Sequence, residues 1–252
     1  AWKLAEKYKL GKLVFVNKLD DVKADYMNVI NQLKAVFGKC IAPFTFPIKE
    51  NDIFIGFVDV IKMRAKMFTG PEATYEPIPD AYLDTARKSR DILNESIAEC
   101  SDVLMEKYFA GEDFTEDEIK DAIKIGIKDG TVVPVICGSA LLRIGVTHVL
   151  DIISNYMFSP DEADAVIATD NESGDTVTVD CSSDAPVVLK VFKTTVDNYV
   201  GKMSMFKVIS GTIRPDTMLF NPRMGENERI GKIFTLRGKK QMDVQSLTAG
   251  DI

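Results

Sequence analysis

Three side chains in the stretch KLVFVNKLD, residues 12–20, could together read one flat, hydrogen-bonding ligand. Asn17, Lys18 and Asp20 follow four apolar residues, 13–16. That run is short and unbroken, as in a strand covered on both faces of a parallel sheet. Ligands of such sheets sit beyond the carboxyl ends of the strands, where these three residues fall. An ionised Asp20 accepts two parallel hydrogen bonds from a planar N–H pair. Guanine offers such a pair, its ring N1–H and exocyclic N2–H₂, and adenine does not. A polar site left unpaired by the wrong base rejects it by factors of ~10⁴–10⁵ in comparable cases. The Lys18 stem can lie along the base, and the Asn17 amide can both donate and accept. A second turn, Gly138-Ser139-Ala140, ends the apolar run VVPVIC. Small residues there let backbone N–H groups approach a base carbonyl. A competing reading stays open: Asp20 or Asp21 caps the helix that follows, and a motif of four residues with one free position does not decide between the two.

The elements that must position these turns are legible in outline. WKLAEKYKL reads as a helix stopped by Gly11. After the Asn-Lys-Leu-Asp turn, Tyr26, Val29, Ile30, Leu33, Val36 and Phe37 recur at helical spacing up to Gly38. Residues 41–68 are rich in β-branched and aromatic types, broken by Pro43, Pro47 and Gly56, and predict strands with a turn at 49–52. Helices follow. Asp80 is placed to cap the first, and Tyr82, Ala86, Leu93, Ile97 and Leu104 mark a buried stripe. FTEDEI, residues 114–119, is a capping box of Thr115 and Glu118 with a staple of Phe114 on Ile119. The strand of the second turn contains Pro134, so it should begin there or have one side free of a ladder. The helix GVTHVLDIISNYM carries the single histidine, His148, which its spacing places on the polar, solvent side without a catalytic partner. Residues 159–185 are acidic and read as an inter-domain connection with one strand. From Pro186 on, short strands and Gly, Pro and Asn turns predict an all-β barrel or sandwich, cut short at the end, with Met203, Met205 and Phe206 in its core.

Composition narrows the classes. The chain has 252 residues, enough for one large or two smaller domains. No apolar run approaches the ~20 residues of a membrane helix, and the charged first residues are not a signal peptide. Cys40, Cys100, Cys137 and Cys181 fit no metal spacing, so a zinc site or disulfide framework is not expected, and a reducing cytoplasm is. The net charge of −7 divides into +5 over residues 186–252 and −12 over the rest, as for halves that face different partners. Lys202, Arg214, Arg223, Arg229, Lys232, Arg237, Lys239 and Lys240 make up most of the basic end. The RGKK run, 237–240, could touch RNA phosphates, and is otherwise a solvated hairpin.

The order FVNKLD, DIFIGFVDVIKMRA, LMEKYFAGEDFTEDEIKDAI, VVPVICGSA and DNYVGKMSMFKVISGTI resembles bacterial elongation factor G, a translational GTPase, over essentially the whole chain. ERIGKIFTLRGKKQ is closer to a second-copy, elongation-factor-G-like branch. The resemblance implies an α/β fold: the C-terminal part of a P-loop-type GTPase domain over residues 1–158, with an inserted α+β subdomain at about 41–125. A linker over 159–185 and a truncated β-barrel second domain over 186–252 complete it. It implies guanine binding by Asn17, Lys18, Asp20, Ser139 and Ala140, with GTP or GDP as ligand, and a role in moving tRNA and mRNA through the ribosome. It implies ribosomal RNA as partner of the barrel, through Arg237, Lys239 and Lys240, and the ribosomal stalk protein as partner of the insertion, with no membrane or DNA. Two family motifs have no counterpart in these residues: the G-x-x-x-x-G-K-[ST] phosphate loop and the D-x-x-G segment that senses the γ-phosphate. The reading expects a fragment that keeps base recognition but lacks catalysis and the Mg²⁺ ligands. The rival from another class is a non-catalytic ribosome- or RNA-binding adaptor. Ribosomal-protection and release-type GTPases share the domain order.

Overall fold

A computed structural model describes residues 1–68, 73–197, 201–238 and 240–252. The chain forms two compact units, Ala1–Met157 and Phe158–Ile252.

In the first unit the order is α1 (Trp2–Lys7), β1 (Val14–Val16), α2 (Tyr26–Phe37), β2 (Ile41–Pro43), β3 (Thr45–Glu50), β4 (Ile53–Asp59), β5 (Arg64–Met67) and β6 (Thr74–Glu76). There follow α3 (Asp80–Ala98), α4 (Asp102–Ala110), α5 (Glu116–Asp129), β7 (Val133–Cys137) and α6 (Val146–Tyr156). β7 is buried along its whole length because it is the middle strand of a parallel sheet, order β1-β7-β2. Pro134 fits there because the two ladders are staggered. Its register partner is Ala42 on β2, whereas pairing to β1 starts only at Val135. The chain therefore leaves this sheet after Pro43 and enters a four-stranded antiparallel sheet, order β3-β4-β5-β6. One continuous core joins both sheets to the helices, with Phe44, Phe57, Leu93, Ile97, Ile123 and Ile136 among its members.

The helix termini follow the local chemistry, with one exception. α2 is capped by Asp25, whose side chain accepts from the Asn28 N–H, and not by Asp20 or Asp21. The helical stripe at 82–104 is split into two helices, and Ser101 caps the second. Asp80 is the first residue of α3 and makes no side-chain cap, where the sequence predicts a cap. The preceding Pro79, with extended backbone, takes the N-cap position and leaves Asp80 within the first turn. The box of Thr115 and Glu118 forms in both directions. Lys107 and the box donors together hold the Glu118 carboxyl down at about 2.

The second unit begins with a hairpin, β8 (Val166–Thr169) with β9 (Thr176–Val179), so two strands occupy the segment where one is expected. Next come β10 (Val188–Asp197), β11 (Gly201–Ser210), β12 (Thr212–Ile213), β13 (Met218–Asn221), β14 (Glu226–Arg229), β15 (Phe234–Arg237), β16 (Lys240–Asp243) and β17 (Leu247–Thr248). They pair antiparallel as β10-β11, β12-β17, β13-β14 and β15-β16 around a small core of Val208, Ile213, Ile233 and Leu247. Among the described residues no ladder joins these pairs into a closed barrel, so the unit is a β-rich set of two-stranded antiparallel pairs. Phe206 packs against the core, and Met203 and Met205 are half-buried at its edge.

Candidate functional site

β1 ends at Val16 and places Asn17 and Lys18 in solvent, with Leu19 buried as a plug and Asp20 half-buried behind it. Lys18 lies in the left-handed region, φ 64°, a conformation unusual for a side chain with a Cβ. β7 ends beside it, and the two strand ends interlock through the backbone. Gly138 N–H donates to the Val16 carbonyl at 3.0 Å, and Leu19 N–H donates to the Gly138 carbonyl at 3.2 Å. Gly138 must be glycine for a steric reason, since a Cβ would lie 2.5 Å from the Ile144 carbonyl oxygen and 2.6 Å from the Phe15 ring.

Side chains then bridge the turns. The Ser139 hydroxyl donates to Asp20 Oδ1 and accepts from the Leu142 N–H at 3.1 Å. Ala140 N–H donates to Asn17 Oδ1 at 2.9 Å. Residues 119 and 123 positions apart thus meet in one site. A carboxylate has about four lone-pair positions, so Asp20 bound to Ser139 can still accept two N–H groups. Asn17 keeps its amide nitrogen as a donor. Ser139 N–H is used on the Ile144 carbonyl, which leaves Ala140 as the residue of this turn whose N–H a base carbonyl could share with Asn17. All five residues that the sequence singles out come together here. Sequence reasoning missed Thr45 and Tyr26, which lie beneath the turns. The one available signal was a hydroxyl inside the apolar run IAPFTFPI.

His148 requires a correction. It is 3% exposed, not at the surface, and its ring packs on Phe57 of β4 with centroids 4.9 Å apart. Neither ring nitrogen has a hydrogen-bond partner. The sequence reading failed because the inserted sheet covers the flank of α6 that periodicity assigned to solvent. Val146, Leu150 and Ile153 of the same helix are exposed instead. Burial holds the imidazole below its ordinary pKa. Of the charged groups around it, Asp59 and Asp151 oppose that shift, and Lys66 and Lys62 add to it. A His pKa lowered in the folded state gives stability that is complete above the unfolded value of ~6.5 and is lost as pH falls below it. Thermal unfolding between pH 7.5 and 5.5 should therefore show a loss of at most ~1.4 kcal/mol per pH unit from this residue. His148→Leu should flatten that slope; equal slopes in both proteins would count against the neutral buried imidazole.

The basic residues of the second unit are a less organised set. Arg237 and Lys240 are exposed register partners across β15 and β16, and Lys239 lies outside the described residues, as do 198–200. Arg229 is paired with Asp216 at 2.8 Å and Lys232 with Asp243 at 3.7 Å. Among the described residues no cluster of His, Cys, Asp and Glu could hold a metal ion, and no helix is long and apolar enough to cross a membrane.

Residues 1–159 match the family model of the elongation factor Tu GTP binding domain, and residues 186–252 match that of elongation factor G domain 2. A crystal structure of a protein from Thermus thermophilus is similar with a TM-score of 0.81 at 27% sequence identity, over 99% of this chain. The match covers 34% of that protein, so the chain spans about a third of its length. With the first match covering well over half of the 252 residues and the second following in order, the chain belongs to the elongation factor Tu GTP binding domain family, as a translational GTPase of the elongation factor G type.

Proposed function

We propose that Asn17, Lys18, Asp20, Ser139 and Ala140 bind the guanine base of GTP and GDP, within a ribosome-dependent GTPase that drives translocation of tRNA and mRNA. The observation that carries this reading is the cross-linking of two distant turns by the Ser139–Asp20 and Ala140–Asn17 hydrogen bonds. It leaves a half-buried carboxylate, with acceptor positions beyond its Ser139 bond, in the same turn as an exposed lysine. Asp20 accepts the N1–H and N2–H of the base, Lys18 lies along one face, and the Ala140 N–H meets the base carbonyl. Asn17 ties the two turns together. The residues present fit the base and not the phosphates. Residues 1–252 contain no G-x-x-x-x-G-K-[ST] loop and no D-x-x-G segment, and GTP hydrolysis depends on such parts for positioning and charge neutralisation. Residues 1–252 alone are therefore catalytically inactive.

The domain boundaries we propose are a GTPase part over 1–158 with the insertion at about 41–125, a connection over 159–185 and a second domain from 186. The partners are ribosomal RNA for the second domain, through Arg237, Lys239 and Lys240, and the stalk protein for the insertion. The setting is the cytoplasm. Calorimetric titration tests the base assignment. Protein expressed from the complete coding sequence should bind GDP and discriminate against ADP by ~10⁴ or more. Equal affinity for the two would remove the guanine reading, and tight Mg²⁺-dependent GTP binding by residues 1–252 alone would count against their lacking a phosphate site.

A further inference from the structure

Beneath the base-binding turns one buried hydroxyl occupies a position normally filled by a β-strand. β2 leaves β7 after Pro43, and the last backbone bond from that side is Phe44 N–H to the Val135 carbonyl, at 2.9 Å. Two residues further along β7 the Cys137 N–H would be left without a strand partner on that side. It donates instead to Thr45 Oγ1 at 2.8 Å, and the same hydroxyl donates to Cys137 Sγ at 3.2 Å. Thr45 and Cys137 are both fully buried, and burial pushes the Cys137 thiol up to about 12. The Thr45 carbonyl in turn accepts from the Tyr26 hydroxyl, at 2.6 Å, on the first turn of α2. Thr45 is therefore joined to the residue just before Gly138-Ser139-Ala140 and to the helix just after Asn17-Lys18-Leu19-Asp20.

We infer that Thr45 is a positioning residue for guanine recognition, its hydroxyl extending the β7 ladder so that Ser139 and Ala140 meet Asp20 and Asn17. This rests on the guanine reading above. A buried donor stripped of its partner costs the full desolvation of that group, so the strand end shifts to find another.

The test compares Thr45→Val, which keeps the shape and removes the acceptor, with Thr45→Ser, which keeps the hydroxyl. Protein from the complete coding sequence is titrated with GDP and with inosine diphosphate, which lacks the amino group that Asp20 accepts from, well below the melting temperature. T45V should weaken GDP binding about tenfold and lower the GDP-to-IDP ratio, and T45S should restore both. A merely structural role would lower the melting temperature and leave the ratio unmoved. Asp20→Asn is run alongside. If D20N loses GDP while T45V keeps wild-type affinity and ratio, the Thr45 inference alone is overturned. If T45S is as weak as T45V, the hydroxyl is not the agent and the inference is overturned. If D20N binds GDP as well as wild type, the guanine reading falls and takes the inference with it. Should T45V not fold, Tyr26→Phe, which leaves the Thr45 carbonyl unpaired, carries the test: a loss of about threefold supports the inference and an unchanged affinity overturns it.

Discussion

Asp20→Asn should lower GDP affinity by more than about a hundredfold, since a site built for hydrogen bonding rejects a mismatched partner by up to ~10⁴–10⁵. The loss follows from donor and acceptor counting. Asn retains one acceptor oxygen, and the Ser139 hydroxyl that donates to Asp20 Oδ1 would claim it. The amide nitrogen then faces the base and sets N–H against N–H. Charge is lost as well, and hydrogen bonds to a carboxylate are about twice as strong as neutral ones. The same counting predicts a gain: xanthine carries a carbonyl where guanine carries its amino group, so D20N should bind xanthosine diphosphate better than the wild type does. Paired titrations with the two diphosphates check both directions. A variant that kept GDP and gained nothing for xanthine would show that Asp20 does not read the base.

Phe57→Ala should be strongly damaging to the first unit. Phe57 is fully buried on the second strand of the antiparallel sheet, its ring 5.9 Å from Phe68 and 4.9 Å from His148. Truncating a buried Phe costs ~3–5 kcal/mol, part transfer energy and part unfilled cavity. For a unit of this size that corresponds to a fall of roughly 10 °C in melting temperature. Phe57→Leu keeps most of the volume and should cost under about 1.5 kcal/mol. Because the Phe57 ring covers His148, F57A should also admit water to the imidazole and weaken the acid slope predicted for it. Calorimetry at pH 7.5 and 5.5 separates the two effects. A fall of only a degree or two in F57A would mean that the inserted sheet does not depend on this contact.

The sequence alone carried the strand-end setting of the candidate site residues. A short unbroken apolar run followed by polar residues reads as a strand and the turn at its end, and β1 forms there as an edge strand, half-buried apart from Val16. Residues 13–16 and Asn17, Lys18 and Asp20 needed no tertiary information for that reading. The capping box at Thr115 and Glu118 was equally legible, because its partners are three residues apart. Tertiary structure decided whatever depended on a distant element. It gave Asp20 to Ser139 and left capping of α2 to Asp25, which local spacing alone left open. It stacked the inserted sheet on α6, so that a histidine at an apparently solvated position became core. It also set a threonine hydroxyl from that sheet at the end of β7, in a hydrogen bond spanning 92 residues of chain. Periodicity records which face of an element is apolar. It does not record how many faces will be covered, because the covering element lies elsewhere in the chain.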